Sequence, residues 1–198
     1  MKCIDIDWIK NYPRDFKNAQ TQTYEMCIEA VGGNGYLLKE VRFYELNLTK
    51  EQIYNLYLIA VRRSGCALQY IKWSELEGEF LKERTQEICF EAVKENGLAL
   101  EYVTEQTEEI CLEAVRQNGL ALEYVKEQTP GICLEAIKED TMSLQYVKNQ
   151  TDAILREVLK QNKHKNDYLV ELDRLALQYI KEQIESRKNR LQKGVKKL

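Results

Sequence analysis

The centre of the chain repeats one 22-residue segment three times. The copies are TQEICFEAVKENGLALEYVTEQ at 85–106, TEEICLEAVRQNGLALEYVKEQ at 107–128 and TPGICLEAIKEDTMSLQYVKNQ at 129–150. A strict period of this length is typical of repeat arrays, in which each unit buries its apolar face against its neighbours. The repeat therefore predicts a stack of similar units, and it constrains the fold more than any other feature of the sequence.

Each unit carries the start and stop signals of short helices. A threonine that can cap a first helix opens every unit, at Thr85, Thr107, Thr129 and Thr151. That helix should stop at Gly97 or Gly119, because glycine tolerates the left-handed conformation that closes a helix, whereas Asp140-Thr141 makes a weaker stop. A second short helix then runs through LALEYVKEQ. Helices this short depend on stacking for stability, so the pattern predicts an all-α protein, an α-solenoid of stacked short helical hairpins.

The same register extends beyond the three clean copies. Segment 49–84 fits once four residues, about one helical turn, are added to its first helix, and WSELEGEF belongs to an insertion of about ten residues before residue 85. At the start, IDIDWIK resembles an isolated second helix with Trp8 in the tyrosine position. We predict a single helical repeat domain over 1–198, made of an N-terminal cap (1–22), six repeats (23–48, 49–84, 85–106, 107–128, 129–150 and 151–183) and a basic tail (184–198).

Composition and charge are those of an ordinary soluble protein, with 44% hydrophobic and 31% charged residues and a formal net charge of −3. The longest apolar run, Leu56–Val61, is far shorter than a membrane span. Acids stand near the start of the chain, where a signal peptide needs an apolar stretch. We expect an intracellular protein of a reducing compartment, with no membrane association and no overall attraction to nucleic acid.

The consensus T-x-E-I-C-L-E-A-V-K-x-N-G-L-A-L-x-Y-V-K-E-Q resembles the tandem repeat of a family of unknown function. That family is common in large DNA viruses of protists and in some amoeba-associated bacteria. The resemblance is close over residues 85–150 and looser across 23–84 and 151–183. It implies a helical repeat protein of viral or intracellular-parasite origin, located in the host cytoplasm or the virion if viral. The family supplies no catalytic residue, cofactor or known ligand to carry over.

Six cysteines suggest a disulfide or metal site, but their spacing argues against both. Cys89, Cys111 and Cys133 lie 22 residues apart, in the same position of successive units. Equivalent positions in stacked helices are about 8–10 Å apart, too far for a disulfide or for one shared zinc ion. The cysteines fall on the apolar stripe of the first helix, so we predict that they are buried, reduced and metal-free.

Two further columns recur at the repeat period. Glutamates stand at one position of five units (Glu29, Glu91, Glu113, Glu135 and Glu157), and four of them have a Lys or Arg three residues later. This spacing favours ion pairs along each helix over a binding column of carboxylates. Tyrosines recur at Tyr70, Tyr102, Tyr124, Tyr146 and Tyr179. We interpret these rings as core between repeats, with each hydroxyl reaching the edge, rather than as a platform for stacked bases.

The sequence offers few candidates for catalysis. The single histidine, His164, lies in a polar stretch, and Gly32-Gly33-Asn34-Gly35 follows a helix rather than the strand that a phosphate loop requires. A nucleophile elbow and a zinc motif are both lacking. We therefore predict a protein that is not an enzyme and has no cofactor and no metal.

The predicted function is a non-catalytic scaffold that binds another macromolecule, and we expect that partner to be a protein. Trp73 and Phe80 in the insertion are candidate partner-binding residues, because insertions in repeat arrays often form the binding face. The same two aromatics can instead fill a gap in the stack.

The alternative is nucleic-acid binding through the basic tail. Residues 187–198 hold six basic side chains and no acid, and Arg187, Lys188 and Arg190 come first. The spacing of Leu191 and Val195 favours a solvated helix end instead, because lysines suit the negative pole of a helix dipole.

Overall fold

The computed structural model describes residues 4–76 and 81–149, together with Ile154 and Glu182, and for Leu81 it describes the backbone alone. Within these residues every regular element is helical and none is a β-strand, which confirms the predicted all-α repeat fold. The α-helices are α1 (Ile6–Asn11), α2 (Tyr24–Gly33), α3 (Lys50–Arg63), α4 (Leu81–Glu95), α5 (Glu108–Gln117) and α6 (Pro130–Glu139). The 3-10 helices are η1 (Pro13–Asn18), η2 (Gly35–Glu40), η3 (Phe43–Glu45), η4 (Gly65–Tyr70), η5 (Trp73–Leu76), η6 (Gly97–Tyr102), η7 (Gly119–Tyr124) and η8 (Thr141–Tyr146).

The units stack in two layers. One layer is the series α1 to α6, in which each helix contacts the next. The other is the series η1, η2, η4, η6, η7 and η8, which also contact one another in order. From α3 to α6, each α-helix packs on the 3-10 helix of its own unit and on that of the unit before it. The apolar core therefore runs between the layers along the whole described array.

Of the threonine caps predicted at Thr85, Thr107, Thr129 and Thr151, those at Thr107 and Thr129 are confirmed, that at Thr85 is wrong, and Thr151 lies outside the described residues. The Oγ1 atoms of Thr23, Thr107 and Thr129 accept a hydrogen bond from the backbone N–H three residues later. Thr49 forms the reciprocal capping box with Gln52, and α3 has 14 residues against 10 in α5, as the four added residues predicted. Thr85, by contrast, lies inside α4, because the helix-forming residues before it extend that helix to Leu81.

The second element of each unit is a six-residue 3-10 helix rather than an α-helix. A 3-10 helix has 3.0 residues per turn, so residues three apart lie in one line along it. In η6 this geometry lines up Gly97, Leu100 and the following Val103, all of which are buried. The same geometry lines up Leu98 with Glu101 on the outer side. Ala99 is buried as well, so the inner side of η6 consists of this line and the alanine beside it.

The helices stop where predicted, but for a different reason. The helix ends are followed by Asn96, Asn118 and Asp140. Each has an extended backbone and caps the next 3-10 helix with its side-chain oxygen. Each oxygen accepts from the N–H two residues later, so Asp140 acts as well as the asparagines and its stop is not weaker. Gly119 has no left-handed backbone angle; instead, a Cβ there would lie 2.5 Å from the carbonyl oxygen of Ala136 in the next unit. Glycine is needed for close approach between repeats.

The N-terminal segment also differs from its predicted form. Residues IDIDWIK were expected to form an isolated second helix, but Ile6–Asn11 is an α-helix capped by Asp5, and a 3-10 helix follows it. The two elements pack on α2 and η2 in the manner of a short complete unit. Pro13 explains where the first helix ends and the second begins, because proline disfavours the α conformation of the residue before it and opens the second element where its missing N–H costs nothing.

The structure bears on two further predictions. Cys27, Cys89, Cys111 and Cys133 are buried, with 0–4% of their surface exposed, and the cysteines of the described residues are free thiols. Across the described part of the chain, no helix is long and apolar enough to cross a membrane. The predicted sixth unit (151–183), apart from Ile154 and Glu182, and the predicted basic tail (184–198) lie outside the described residues.

Candidate binding surface

Adjacent units are joined by a glutamine that the sequence analysis did not identify. The side chain of Gln106 donates from Nε2 to the carbonyl oxygen of Tyr124 (2.9 Å) and accepts at Oε1 from the N–H of Lys126 (2.9 Å). Gln22 and Gln128 make the same pair of bonds, 18 and 20 residues further along the chain. Each of these glutamines directly precedes a capping threonine, and this recurrence in the sequence was the signal that could have revealed them.

The buried cysteines and the basic residues at the unit ends support these glutamine bridges. The Sγ atom of Cys111 lies 3.7 Å from Oε1 of Gln106, and Cys133 stands in the same relation to Gln128 at 3.8 Å. Lys148 donates from Nζ to the carbonyl oxygens of Val125 (2.9 Å) and Lys126 (3.1 Å) of the unit before it. Burial raises the pKa of the Cys111 and Cys133 thiols, so both remain protonated, weak donors at neutral pH.

The outer surface of the 3-10 layer carries apolar, aromatic and polar side chains along five units, and we call it the 3-10 face. It consists of three rows with one residue per unit, except that the ring row has no member in the first of the five units, where Glu40 takes its position. An aliphatic row contains Tyr36, Cys66, Leu98, Leu120 and Met142; a ring row contains Tyr70, Tyr102, Tyr124 and Tyr146; a polar row contains Lys39, Gln69, Glu101, Glu123 and Gln145. The aliphatic and ring rows are half-buried or exposed, and Tyr36 and Met142 are 40% and 38% exposed.

The tyrosines were predicted to be core with an exposed hydroxyl, and the structure places them between core and surface. The four rings of the ring row pack against the core while each residue remains half-exposed. Tyr36 meets Tyr70 edge-on, with ring centroids 6.3 Å apart. Successive 3-10 helices from η2 to η8 contact one another in the order η2, η4, η6, η7 and η8, so the ring row follows this layer with one tyrosine in each unit from η4 onward.

Charges of the polar row act on these rings. Partial burial and then the nearby Glu101 carboxylate raise the pKa of Tyr102, and burial followed by Glu123 and Glu101 raises the pKa of Tyr124. Burial and Glu123 likewise raise the pKa of Tyr146. Glu101 and Glu123 therefore each act on the tyrosine of their own unit and on that of the following unit. At the other end, the Nζ atom of Lys39 lies 6.0 Å from the ring centroid of Tyr70.

Ion pairs along each helix were predicted for the glutamate column, and in the described part of the chain this pair is present at Glu135. Glu91–Lys94 and Glu113–Arg116 do not form it, and Glu91 and Arg116 pair with neighbouring units instead. Glu135 pairs with Lys138 three residues later at 3.2 Å. It also receives Arg116 of the preceding unit at 3.3 Å, and the two basic partners lower the pKa of its carboxyl group. Glu91 is bound by Arg62 of the preceding unit at 2.7 Å. The pairs of Glu91 and Glu135 with arginines of the preceding unit therefore link successive units of the stack.

Of the sequence-predicted site residues, the structure describes Trp73. Trp73 opens η5, where it is half-buried and packs against the core, with Leu76 buried behind it. Phe80, Arg187, Lys188 and Arg190 lie outside the described residues. Among the residues that the structure describes, no group of three or more His, Cys, Asp or Glu side chains is arranged to hold a metal ion.

Comparison with known proteins adds little beyond the repeat itself. The profile of a family described as a domain of unknown function, DUF4116, matches residues 85–128, which are the two most similar repeats. No curated protein matches the chain, and no solved structure matches it.

Proposed function

We propose that the protein is a non-catalytic scaffold and that its 3-10 face binds another protein. The observation that carries this proposal is the strip of half-exposed tyrosine, leucine and methionine side chains that continues over five units. Contiguous apolar surface of this kind is characteristic of interaction sites, and aromatic residues and methionine are enriched in interfaces. The free cysteines agree with an intracellular, reducing location.

Affinity capture with a surface variant tests this proposal. The variant combines Tyr36→Ala, Leu120→Ser and Met142→Ser, which remove apolar groups from the aliphatic row of the 3-10 face. The matched control combines Tyr12→Ala and Tyr44→Ala, because these rings are 54% and 83% exposed and lie outside the 3-10 face. Circular dichroism and thermal unfolding of all three proteins establish that each is folded.

The expected result is a captured protein that survives nuclease treatment, disappears with the surface variant and remains with the control. Capture that is equal for all three proteins would remove the 3-10 face from consideration. Loss of capture on nuclease treatment would favour a nucleic-acid partner.

Nucleic-acid binding through residues 187–198 is the second candidate, favoured by their six basic side chains. If all six contact phosphates of duplex DNA, log affinity should fall with log salt at a slope of up to about −5, and deletion of 184–198 should abolish binding. We expect weak binding at physiological salt instead, because the rest of the chain is acidic and repels phosphates.

A further inference from the structure

We propose that the 3-10 face recognises a partner segment in which Lys or Arg side chains alternate with apolar residues. This inference rests on the proposed function and specifies the chemistry of the protein partner. Its cationic side chains would bind at Tyr124 and Tyr146, each of which presents a ring beside a carboxylate.

The chain itself shows how a cation fits this surface. Lys39 occupies the polar row of one unit, and its ammonium group lies over the ring of Tyr70 in the next unit, 6.0 Å from the centroid. A cation at this distance is attracted by the electron-rich face of the ring. Where these two units meet, the ring of Tyr70 is therefore a cation site that a lysine of the chain itself occupies.

Two later junctions have the same rings and the opposite charge. The residues that correspond to Lys39 are Glu101 and Glu123, so the repeat sets their carboxylates beside Tyr124 and Tyr146 as it sets Lys39 beside Tyr70. In agreement, these carboxylates are among the causes that raise the pKa of the two tyrosines. In the described part of the chain, no Lys or Arg lies within ion-pair distance of either carboxylate. Ring and carboxylate both attract a positive charge, so these junctions suit a cation from outside the described chain.

The aliphatic row adds an apolar requirement and a spacing. Leu98, Leu120 and Met142 stand next to the polar row and offer half-exposed or exposed apolar surface. Stacked helices are about 8–10 Å apart, and an extended chain advances about 3.3 Å per residue. Cations three residues apart in an extended segment therefore match successive units, with apolar residues between them.

Peptide binding tests the inference. The probe is a fluorescent 12-residue peptide of four Leu-Ser-Arg triplets, and its controls carry the same residues with the arginines clustered, or glutamine in place of arginine. The protein variant is Glu101→Gln with Glu123→Gln. The control variant is Glu105→Gln with Glu127→Gln, because it makes the same charge change at exposed positions of the same two units outside the 3-10 face.

We expect the probe to bind the full chain more tightly than either control peptide. The Glu101→Gln/Glu123→Gln variant should weaken binding at least about tenfold, since charge-assisted contacts are lost. The Glu105→Gln/Glu127→Gln variant should change it less than about threefold. Lys39→Glu should strengthen binding, because it opens one more ring beside a carboxylate.

The contrary outcomes are distinct. Equal loss in both double variants would mean unspecific attraction to an acidic protein and would overturn the inference. Binding that requires deletion of 184–198 would assign the surface to the chain's own basic tail and overturn it as well. A third outcome separates the two proposals. If both double variants bind the peptide as tightly as the parent does, while cellular capture still depends on Tyr36, Leu120 and Met142, the proposed function stands and only the cationic chemistry fails.

Discussion

Substituting Gly119 by alanine should push two neighbouring repeats apart. The backbone angles of Gly119 are open to alanine, so the change alone would stabilise the fold by about 0.4–1 kcal/mol through the unfolded state. The new Cβ, however, would lie 2.5 Å from the Ala136 carbonyl oxygen and 2.9 Å from both the backbone nitrogen and the Cβ of Asp140. These atoms belong to the last turn of α6 and its cap, so no flexible side chain can move away.

The size of the effect follows from the displacement that the clash requires. A Cβ needs roughly 0.7 Å more room against this carbonyl oxygen, and overpacking of this kind costs about 1–3 kcal/mol. We therefore expect Gly119→Ala to lower the free energy of unfolding by about 1–3 kcal/mol. For a chain of this size, that corresponds to a drop in Tm of roughly 2–10 °C.

Gly131→Ala is the matched control, because Gly131 lies exposed in α6 and its added Cβ meets nothing closer than Thr129 Oγ1 at 3.8 Å. This variant should be as stable as the parent or more stable, by up to about 1 kcal/mol. Urea unfolding followed by circular dichroism measures the stability of both variants.

Gly119→Asn distinguishes a steric cause from a conformational one. Asparagine tolerates a left-handed helix cap, so a conformational requirement for glycine predicts a mild loss of stability. The steric cause predicts a loss at least as large as that of alanine. The steric reasoning fails if Gly119→Ala matches Gly131→Ala.

Three other predictions concern the glutamine bridges and the thiols. Gln128→Ala should destabilise the fold by about 1–3 kcal/mol in urea titrations, because the backbone groups that it satisfies lose their partner, whereas the exposed Gln145→Ala should have almost no effect. Burial raises the pKa of Cys89 from 9.0 to about 11, so the stabilising contribution of this thiol is complete below pH 9 and is lost as the pH rises toward 11. Thermal melts across pH 8–11 should therefore show a smaller decline in Tm for Cys89→Ala than for the parent, and equal declines would contradict this. In a Cys3→Ser background, a thiol reagent should modify the half-buried Cys66 before the buried Cys111, and equal rates in the native protein would refute the burial argument.

The sequence was sufficient for the fold because local signals and period agreed. Threonine caps such as Thr107 act within four residues, and a 22-residue period leaves stacking as the way to bury the apolar stripe. The reasoning failed where a contact between units decides the residue type. Gly119 was assigned to a helix stop, although the carbonyl oxygen it approaches belongs to another unit, and Gln106 was overlooked because its partners are 18 and 20 residues away.

The candidate surface was harder to predict than the fold for a related reason. The tyrosine column was recognised from its period, but a single sequence does not say whether Tyr124 is buried or half-exposed. That depends on the 3-10 form of η7, which sets the tyrosines beside the polar row instead of inside the core. The insertion around Trp73 drew attention because it interrupts the repeat, whereas the 3-10 face keeps the register of the repeat.

The glutamine bridges make the length of the array adjustable in whole units. Gln106 and Gln128 find their partners at the same offsets of 18 and 20 residues. Excision of residues 107–128 would place Gln106 directly before Thr129, and Tyr146 and Lys148 would then stand at those offsets from it. Duplication of the same segment would likewise give every new junction a complete bridge. Unequal recombination between copies can therefore lengthen or shorten such a gene by multiples of 22 codons without leaving a broken junction, whereas a change of another length within a bridge alters its offsets.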